Sequence, residues 1–390
     1  MYIEKRTEEM FSELVEIRRD FHMHPEISEK EYRTQGKICE YLEDWGIEHI
    51  KGVAETGVLA IIRGKNEGKT IAARADIDAL PVLEENDLPF KSINEGVMHA
   101  CGHDVHTTIH LGVARILKEM EDELEGNIKI FFQPAEETVG GANRMIQEGH
   151  LKNPDVDYVL SLHVMPRLDV GEIELKYGKL NAATNEFSIK IKGKSGHAAY
   201  PEQTVDSIVV AGYMITALQT LASRNVSPLD SVVLTLGQIH GGTKNNIIAG
   251  EVIMSGTLRT LDPKTRIFAK RRIEEIVEST AKAYGAEASV EFEEGYPALI
   301  NDNDVVDVLK DIGEEFLGGE NVSFNELPSM GADDFSFFLE KVKGAYYYLG
   351  SGNKGKGWTA PIHNEKFMVD EECIKTGVIL QTKAILKLLK

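Results

Sequence analysis

Apolar positions recur along the chain with two different periods, and these periods predict its elements. Apolar residues stand at helical spacing in residues 5–21 and again in residues 29–45. Short apolar or β-branched runs with the length of strands follow at residues 57–63, 70–75, 128–132 and 158–162, with a helical segment at 107–121. Strands that alternate with helices predict an α/β domain with a mixed, mostly parallel sheet and helices on both of its faces.

The pattern changes after residue 181. Two helical segments and four strand-like segments then follow, in the order 187–191, 205–222, 231–239, 251–260, 263–284 and 288–292. This β-α-β-β-α-β order predicts a ferredoxin-like α+β unit. We therefore expect residues 1–181 and 293–390 to form a discontinuous catalytic domain, and residues 182–292 to form an inserted lid and dimerisation domain.

Composition narrows the class of protein. The formal net charge is −20 and there is no basic block, which argues against a nucleic-acid partner. No apolar run approaches the roughly 18 residues of a membrane span, and the first residues lack the apolar region of a signal peptide, so we expect no membrane association. The three cysteines, Cys39, Cys101 and Cys373, are too few for a disulfide framework and predict a cytoplasmic protein.

The densest chemical cluster is Met98–His106. Cys101 and His103 are two positions apart, which places them on one side of an extended segment but roughly 200° apart on a helix. They can share a metal only if they precede the helix, and Gly102 supports a loop there, with Asp104 as a suitable helix cap. Thiolate and imidazole together suit zinc and similar divalent ions. The alternative is a His-rich start of a helix.

A second cluster is the Gln-Pro-Ala-Glu-Glu segment at residues 133–137, after a buried-looking strand. Adjacent side chains of a regular strand point to opposite faces, so Glu136 and Glu137 can serve one site only beyond the strand, which Pro134 ends. Beside a metal, one carboxylate can ligate while the other accepts a proton from bound water. Taken alone, the two glutamates read equally well as a solvated pair.

Two further histidines complete a candidate site. His163 follows an apolar strand, and in open α/β sheets ligands gather at the carboxyl ends of strands, although a buried core histidine is the alternative. His363 stands in a turn-like loop after the Gly-rich stretch 350–357. Five residues are thus potential ligands, enough for a site with two metals about 3.5–4 Å apart. They are Cys101, His103, Glu137, His163 and His363.

Together these segments resemble the M20 metallopeptidase family, most closely its amidohydrolase branch of hippurate hydrolases, auxin-conjugate hydrolases and N-acetyldiaminopimelate deacetylases. The resemblance covers essentially the whole chain and also includes the loop 196–201 and the Gly-Thr-x-Arg of residues 256–259. Many M20 peptidases have His-x-Asp where this chain has Arg74-Ala75-Asp76. The amidohydrolase branch shares this loss, and Asp76 is then expected to orient a ligand.

The resemblance implies that the five potential ligands bind metal and that Glu136 is the general base. It also implies that His197, often from the neighbouring subunit, polarises the scissile carbonyl, and that Asn246 and Arg259 hold the substrate carboxylate. From the residues alone, His197 reads equally well as part of a strand-to-helix connection and Arg259 as a surface charge, although a guanidinium suits a carboxylate.

We therefore predict a metal-dependent amidohydrolase that cleaves N-acyl amino acids (N-acetyl, N-benzoyl or similar), with one or two Zn, Mn, Co or Ni ions per subunit, as a homodimer or homotetramer. Three alternatives stay open. One is a dipeptidase or aminopeptidase of the same family, and another is a thiol hydrolase with Cys101 as nucleophile and His103 as base. The third is a non-catalytic binding module on the same fold.

Overall fold

The computed structural model describes residues 2–390, and their contacts divide into two compact units. The first unit extends to Gly178 and includes Ile300–Glu326 and Asp334–Lys390. The second unit comprises Lys179–Leu299 and Leu327–Asp333. Each unit has its own hydrophobic core.

The helices in chain order are α1 (Tyr2–Met23), α2 (Tyr32–Asp44), α3 (His103–Glu119), α4 (Gly141–Gln147), α5 (Ser207–Leu218), α6 (Pro263–Ala283), α7 (Asn303–Leu317), α8 (Ser336–Leu339) and α9 (Cys373–Leu389). The strands are β1 (Glu48–Val53), β2 (Gly57–Arg63), β3 (Asn66–Asp76), β4 (Glu125–Gln133), β5 (Tyr158–Asp169), β6 (Ile173–Leu175), β7 (Gly178–Asn181), β8 (Ala183–Lys192), β9 (Gly196–His197), β10 (Val232–Gly241), β11 (Ile247–Ile248), β12 (Glu251–Thr260), β13 (Glu287–Glu294), β14 (Leu299–Asn301), β15 (Val322–Phe324) and β16 (Lys343–Gly352). Among these described helices, none is long and apolar enough to cross a bilayer.

The first unit is built on an eight-stranded sheet with the order β1-β2-β4-β3-β5-β16-β6-β15. Its centre is parallel, since β3 pairs in parallel with β4 and β5, and β5 pairs in parallel with β16. The β1–β2, β2–β4 and β16–β6 pairs are antiparallel. Six of the seven residues of β2 are buried, as expected of a strand covered on both faces of the sheet. The predicted mixed, mostly parallel α/β fold is confirmed.

Helix α3 packs against α1 and α9 and is buried along most of its length. It begins at His103, four residues before the predicted start at Thr107. Gly102 occupies the N-cap position with φ of 86°, and a Cβ atom there would lie 2.4 Å from a methyl carbon of Val164. Asp104 was expected as the cap, and this expectation is wrong, because Asp104 lies inside the first turn and pairs with Arg18 and His22 of α1.

The second unit is built on a four-stranded antiparallel sheet with the order β10-β12-β8-β13. Helices α5 and α6 pack against each other and against β8 and β12. The inward-facing residues of β8, including Phe187, Ile189 and Ile191, alternate with more exposed ones and form the centre of this core. Along the chain these elements have the β-α-β-β-α-β order.

Asp206 provides a testable contribution to the stability of the second unit. Its Oδ1 atom accepts the N–H groups of Ile208 and Val209 at 2.9 and 3.3 Å, which caps α5. The variant Asp206→Ala is expected to lower the free energy of unfolding by about 1 kcal/mol, whereas Asp206→Asn retains a capping oxygen and changes it little. Urea unfolding of both variants checks this, and equal stability of the two would contradict the cap.

Candidate metal centre

The candidate centre lies in the first unit, at the carboxyl ends of β3 and β4 and beside the neighbouring parallel strand β5. Strand β3 ends at Asp76 and β4 ends at Gln133, three residues before Glu136. His163 lies within β5, which continues to Asp169 instead of ending at residue 162 as predicted. Because β3 pairs with β5 only as far as Ser161, His163 still stands just beyond the paired part of β3.

The structure brings the five potential ligands together in two overlapping groups. In one group, Cys101, His103 and His163 have ligand atoms within 4.8 Å of one another, and in the other Cys101, Glu137 and His363 do. Cys101 Sγ is 3.3 Å from His163 Nε2, and His363 Nε2 is 3.2 Å from Glu137 Oε1. Cys101 belongs to both groups, so its sulfur links the two sets of potential ligands.

The rings of His103 and His163 are each fixed by a hydrogen bond from Nδ1 to a main-chain oxygen. The Nδ1–H of His103 donates to the main-chain oxygen of Asp78 at 2.8 Å, and that of His163 donates to the oxygen of Val164 at 2.7 Å. Both Nε2 atoms are therefore left for the centre, which is the arrangement of metal-bound imidazoles. Within residues 2–390, the buried Nε2 of His103 has no hydrogen-bond partner, so the residues present fit a divalent ion.

The electrostatic environment of His103 favours a positive charge on its ring. Burial lowers the pKa of His103, but the carboxylates of Asp76 and Asp78 outweigh it and raise this pKa to about 10. Burial lowers the pKa of His163 to about 4, which keeps that ring neutral with a free lone pair. Burial and the nearby carboxylates, first among them Glu137, raise the pKa of the Cys101 thiol. The acidic cavity thus stabilises a cation, whether a proton or a metal ion.

Glu136 lies beside the ligand groups and is 8% exposed. Its carboxylate is within 4.8 Å of ligand atoms of His103 and Glu137. The preceding residue, Ala135, has a positive φ of 57°, a conformation that costs energy for a residue with a Cβ atom. This turn, which follows Pro134, lets two successive carboxylates reach one site, as the sequence predicts.

His363 has the same unusual backbone conformation, with φ of 64°. Its N–H donates to the oxygen of Ala100 at 2.8 Å, which joins its loop to the residue before Cys101. The ring is half exposed, while Glu137 is nearly buried. Two strained residues in one cluster favour a functional role, because such strain persists where surrounding structure enforces it.

We expected Asp76 to orient a ligand, but the hydrogen-bond contacts of His103 Nδ1 are made with Asp78. Asp76 Oδ1 instead accepts from His106 Nδ1 at 2.6 Å, and its Oδ2 accepts from Arg74 at 2.7 Å. His106 also accepts the N–H of Val164 at 2.9 Å, so its two ring nitrogens are engaged in hydrogen bonds. The signal that could have identified Asp78 is the pair of acids at the end of a buried parallel strand.

The second unit contains the other three predicted site residues. His197 pairs through the main chain with Ile247, and the N–H of Ala198 donates to the oxygen of Asn246 at 3.1 Å, so His197 and Asn246 are neighbours. The side chains of both are exposed. Arg259 stands on β12, opposite Thr184 of β8 and Val233 of β10, and is half-buried.

Comparisons with known proteins identify the family of this chain. Residues 72–387 match the model of peptidase family M20/M25/M40. The chain is 40% identical over 362 residues to an N-acetyl-L-cysteine deacetylase of Bacillus subtilis, covering 93% of this chain and 85% of the relative. It is also 40% identical over 370 residues to thermostable carboxypeptidase 1 of Saccharolobus solfataricus, covering 94% and 93%.

A solved structure also supports the family match. The Bacillus subtilis YXEP protein, described as a dinuclear metal-binding peptidase of the M20 family, superimposes with a TM-score of 0.85 at 32% identity, covering 98% of this chain and 99% of that one. The resemblance inferred from the sequence motifs is confirmed. This chain is a hydrolase that belongs to the M20 family of metal-dependent peptidases and amidohydrolases.

Proposed function

We propose that this chain removes the acyl group from N-acyl amino acids, using one or two divalent ions and Glu136 as general base. The proposal is carried by one observation, the convergence of a sulfur, three imidazoles and a carboxylate in two groups that share Cys101, with Glu136 beside His103 and Glu137. The proposed ligands are Cys101, His103, Glu137, His163 and His363.

Each proposed role follows from the chemistry of the side chain. A bound divalent ion would lower the pKa of a water molecule and polarise the amide carbonyl. Glu136 is proposed to accept the proton of that water and to pass it to the leaving amine. The Nδ1 hydrogen bonds of His103 and His163 keep their Nε2 atoms directed into the centre without rearrangement.

The proposed substrate class is supported by the names of two relatives and by two polar side chains of the second unit. One relative is named a deacetylase of an N-acetyl amino acid and another a carboxypeptidase, so an amide next to a free carboxylate is the substrate feature that we propose. Arg259 and Asn246 are proposed to bind that carboxylate, since a guanidinium is shaped to pair with it. His197 is proposed to polarise the scissile carbonyl.

The thiol hydrolase is the weaker alternative. A nucleophilic cysteine needs a thiolate, and buried thiolates form where cations or a helix N-terminus stabilise them. Cys101 directly precedes the N-cap of α3, but burial and the carboxylates of Glu137, Glu136 and Asp76 raise the pKa of its thiol. The hydrogen bond from His103 Nδ1 to Asp78 leaves Nε2 available as a base, so this alternative is weaker because of the thiol and not because of the histidine.

Removal of metal tests the proposal. Dialysis against a chelator is expected to lower hydrolysis of N-acetyl, N-benzoyl or N-succinyl amino acids by at least about 100-fold, because water activation is lost. Addition of Zn²⁺, Mn²⁺ or Co²⁺ should restore it. Activity that survives chelation but is lost on alkylation would support the thiol hydrolase. Hydrolysis of dipeptides alone would support a peptidase.

A further inference from the structure

The turn that contains Glu136 and Glu137 is held from outside by a segment far away in sequence. Residues 28–31, between α1 and α2, follow Glu26 and Ile27, which contact the chain just beyond the end of β3: Ile27 forms a parallel bridge with Ala79, and the N–H of Ala79 donates to the oxygen of Glu26 at 2.8 Å. We call residues 28–31 the supporting segment. Two of its side chains reach towards the turn.

The first contact is made by Glu31. Its carboxylate is fully buried, and Oε1 accepts the N–H of Ala135 at 2.9 Å. Its Oε2 accepts the hydroxyl of Thr56 at 2.6 Å, which fixes the carboxylate in place. Ala135 is the strained residue directly before Glu136, so this hydrogen bond acts where the chain needs support to keep its positive φ.

The second contact runs from Ser28 through Asp78. The Ser28 hydroxyl donates to Asp78 Oδ2 at 2.7 Å, and the same oxygen accepts the N–H of Glu137 at 3.1 Å. The Oδ1 of Asp78 lies 3.2 Å from His103 Nδ1, whose shorter contact is to the main-chain oxygen of Asp78. One buried carboxylate therefore contacts two proposed ligands, His103 through its ring and Glu137 through its main chain.

We propose that Glu31 and Asp78 are positioning residues, with Glu31 setting the place of Glu136 and Asp78 setting the places of His103 and Glu137. This inference rests on the proposed function. The two residues are expected to affect different measurable quantities. Loss of the Glu31 contact displaces the base, which affects turnover. Loss of the Asp78 contacts displaces ligands, which affects metal binding.

Glu31 is tested by a pair of nearly isosteric changes. Gln in Glu31→Gln can still accept from Ala135 and can donate to the oxygen of Thr56, so kcat should stay within about twofold of the wild type. Glu31→Leu removes both acceptors and leaves the N–H of Ala135 unpaired, and kcat is expected to fall by about 10- to 100-fold because the base is misplaced. Zinc affinity, measured by competition with a chromophoric chelator, should change far less.

Asp78 is tested by Asp78→Asn, with Asp370→Asn as a matched control. An amide cannot accept from all of the donors that surround Asp78, so zinc affinity is expected to fall by about 10- to 100-fold. Asp370 is also a buried carboxylate of the first unit, but it accepts from Asn353 and Lys356, so its variant should keep the zinc affinity of the wild type. Ser28→Ala should give a smaller loss than Asp78→Asn.

Hydrogen exchange of the metal-free protein separates this inference from the proposed function. Glu31→Leu should speed amide exchange in peptides covering residues 133–140 at least about tenfold, while Glu31→Gln should not, because a lost hydrogen bond lets the turn open locally. Unchanged exchange in Glu31→Leu, or an equal loss of zinc affinity in Asp78→Asn and Asp370→Asn, overturns the inference. If the wild type binds no zinc and cleaves no amide, the proposed function fails, and the exchange result still decides whether Glu31 holds the turn.

Discussion

Replacement of Glu136 by Gln is expected to lower kcat by about 10²- to 10⁴-fold, the usual contribution of a general base. Gln has nearly the same size and retains one acceptor oxygen, but it cannot take a proton from water. The proposed ligands are unchanged in this variant, so the metal content per subunit should equal that of the wild type. Turnover of an N-acyl amino acid and elemental analysis of the same preparation measure the two quantities.

Glu137→Gln is the matched control, because it changes the neighbouring carboxylate in the same way. Glu137 is a proposed ligand and pairs with His363, so this variant should lose metal affinity and regain part of its activity when excess Zn²⁺ is added. Glu136→Gln should not respond to added metal. Near-normal turnover in Glu136→Gln, or rescue of that variant by metal, would assign the base to another residue.

The candidate centre could be predicted because its members lie in short local patterns. Cys101 and His103 are separated by one glycine, and Glu136 and Glu137 follow a proline at the end of a strand, so their chemistry is visible in a few adjacent residues. His163 could be placed because the apolar run before it predicts a parallel strand. Parallel strands bring their carboxyl ends to one edge of a sheet, which is why the separate patterns converge.

The residues that hold the centre in place could not be predicted in this way. Glu31 contacts Ala135 across 104 positions of sequence, and Ser28 contacts Asp78 across 50. In sequence, Glu31 is one acid among many near the start of an amphipathic helix, and nothing local marks it as buried. Only the tertiary packing of the segment before α2 against the end of β3 gives it a partner.

The start of helix α3 also differs from the sequence prediction because of contacts that form only in the folded chain. Helix α3 begins at His103 because Gly102 adopts a left-handed conformation and because Arg18 and His22 pair with the buried Asp104 in the first turn. Cys101 therefore precedes the helix, as the spacing predicts for both residues, but His103 does not. His103 is the first residue of α3, where its ring can still approach the sulfur of Cys101.

Arg74 is the cation that stabilises the interior next to the centre. It is fully buried and donates to Asp76 at 2.7 Å, to Gln133 at 2.8 Å and to Asp334 at 2.7 Å. Gln133 also donates to Asp334, at 2.7 Å, so the end of β4 and the start of the Asp334–Lys390 segment share one hydrogen-bonded cluster. A planar guanidinium can reach all three partners at once, which an ammonium cannot.

Arg74→Met is expected to lower the free energy of unfolding by about 3–5 kcal/mol, because it leaves the buried carboxylates of Asp76 and Asp334 without this cation. This is a large part of the roughly 5–15 kcal/mol by which folded proteins are stable. Arg74→Lys keeps the charge but makes fewer hydrogen bonds, so its loss should be intermediate. Urea unfolding followed by circular dichroism measures all three proteins.

Arg63→Met is the control, since Arg63 belongs to β2 of the same sheet but pairs with Glu48 where both side chains are about half exposed. Exposed pairs contribute about 0–1 kcal/mol, so this variant should unfold nearly as the wild type does. The expected order of stability is therefore Arg63→Met, then Arg74→Lys, then Arg74→Met. If Arg74→Met were as stable as Arg63→Met, the buried cluster would contribute no more than a surface ion pair, and the stabilising role of Arg74 would be wrong.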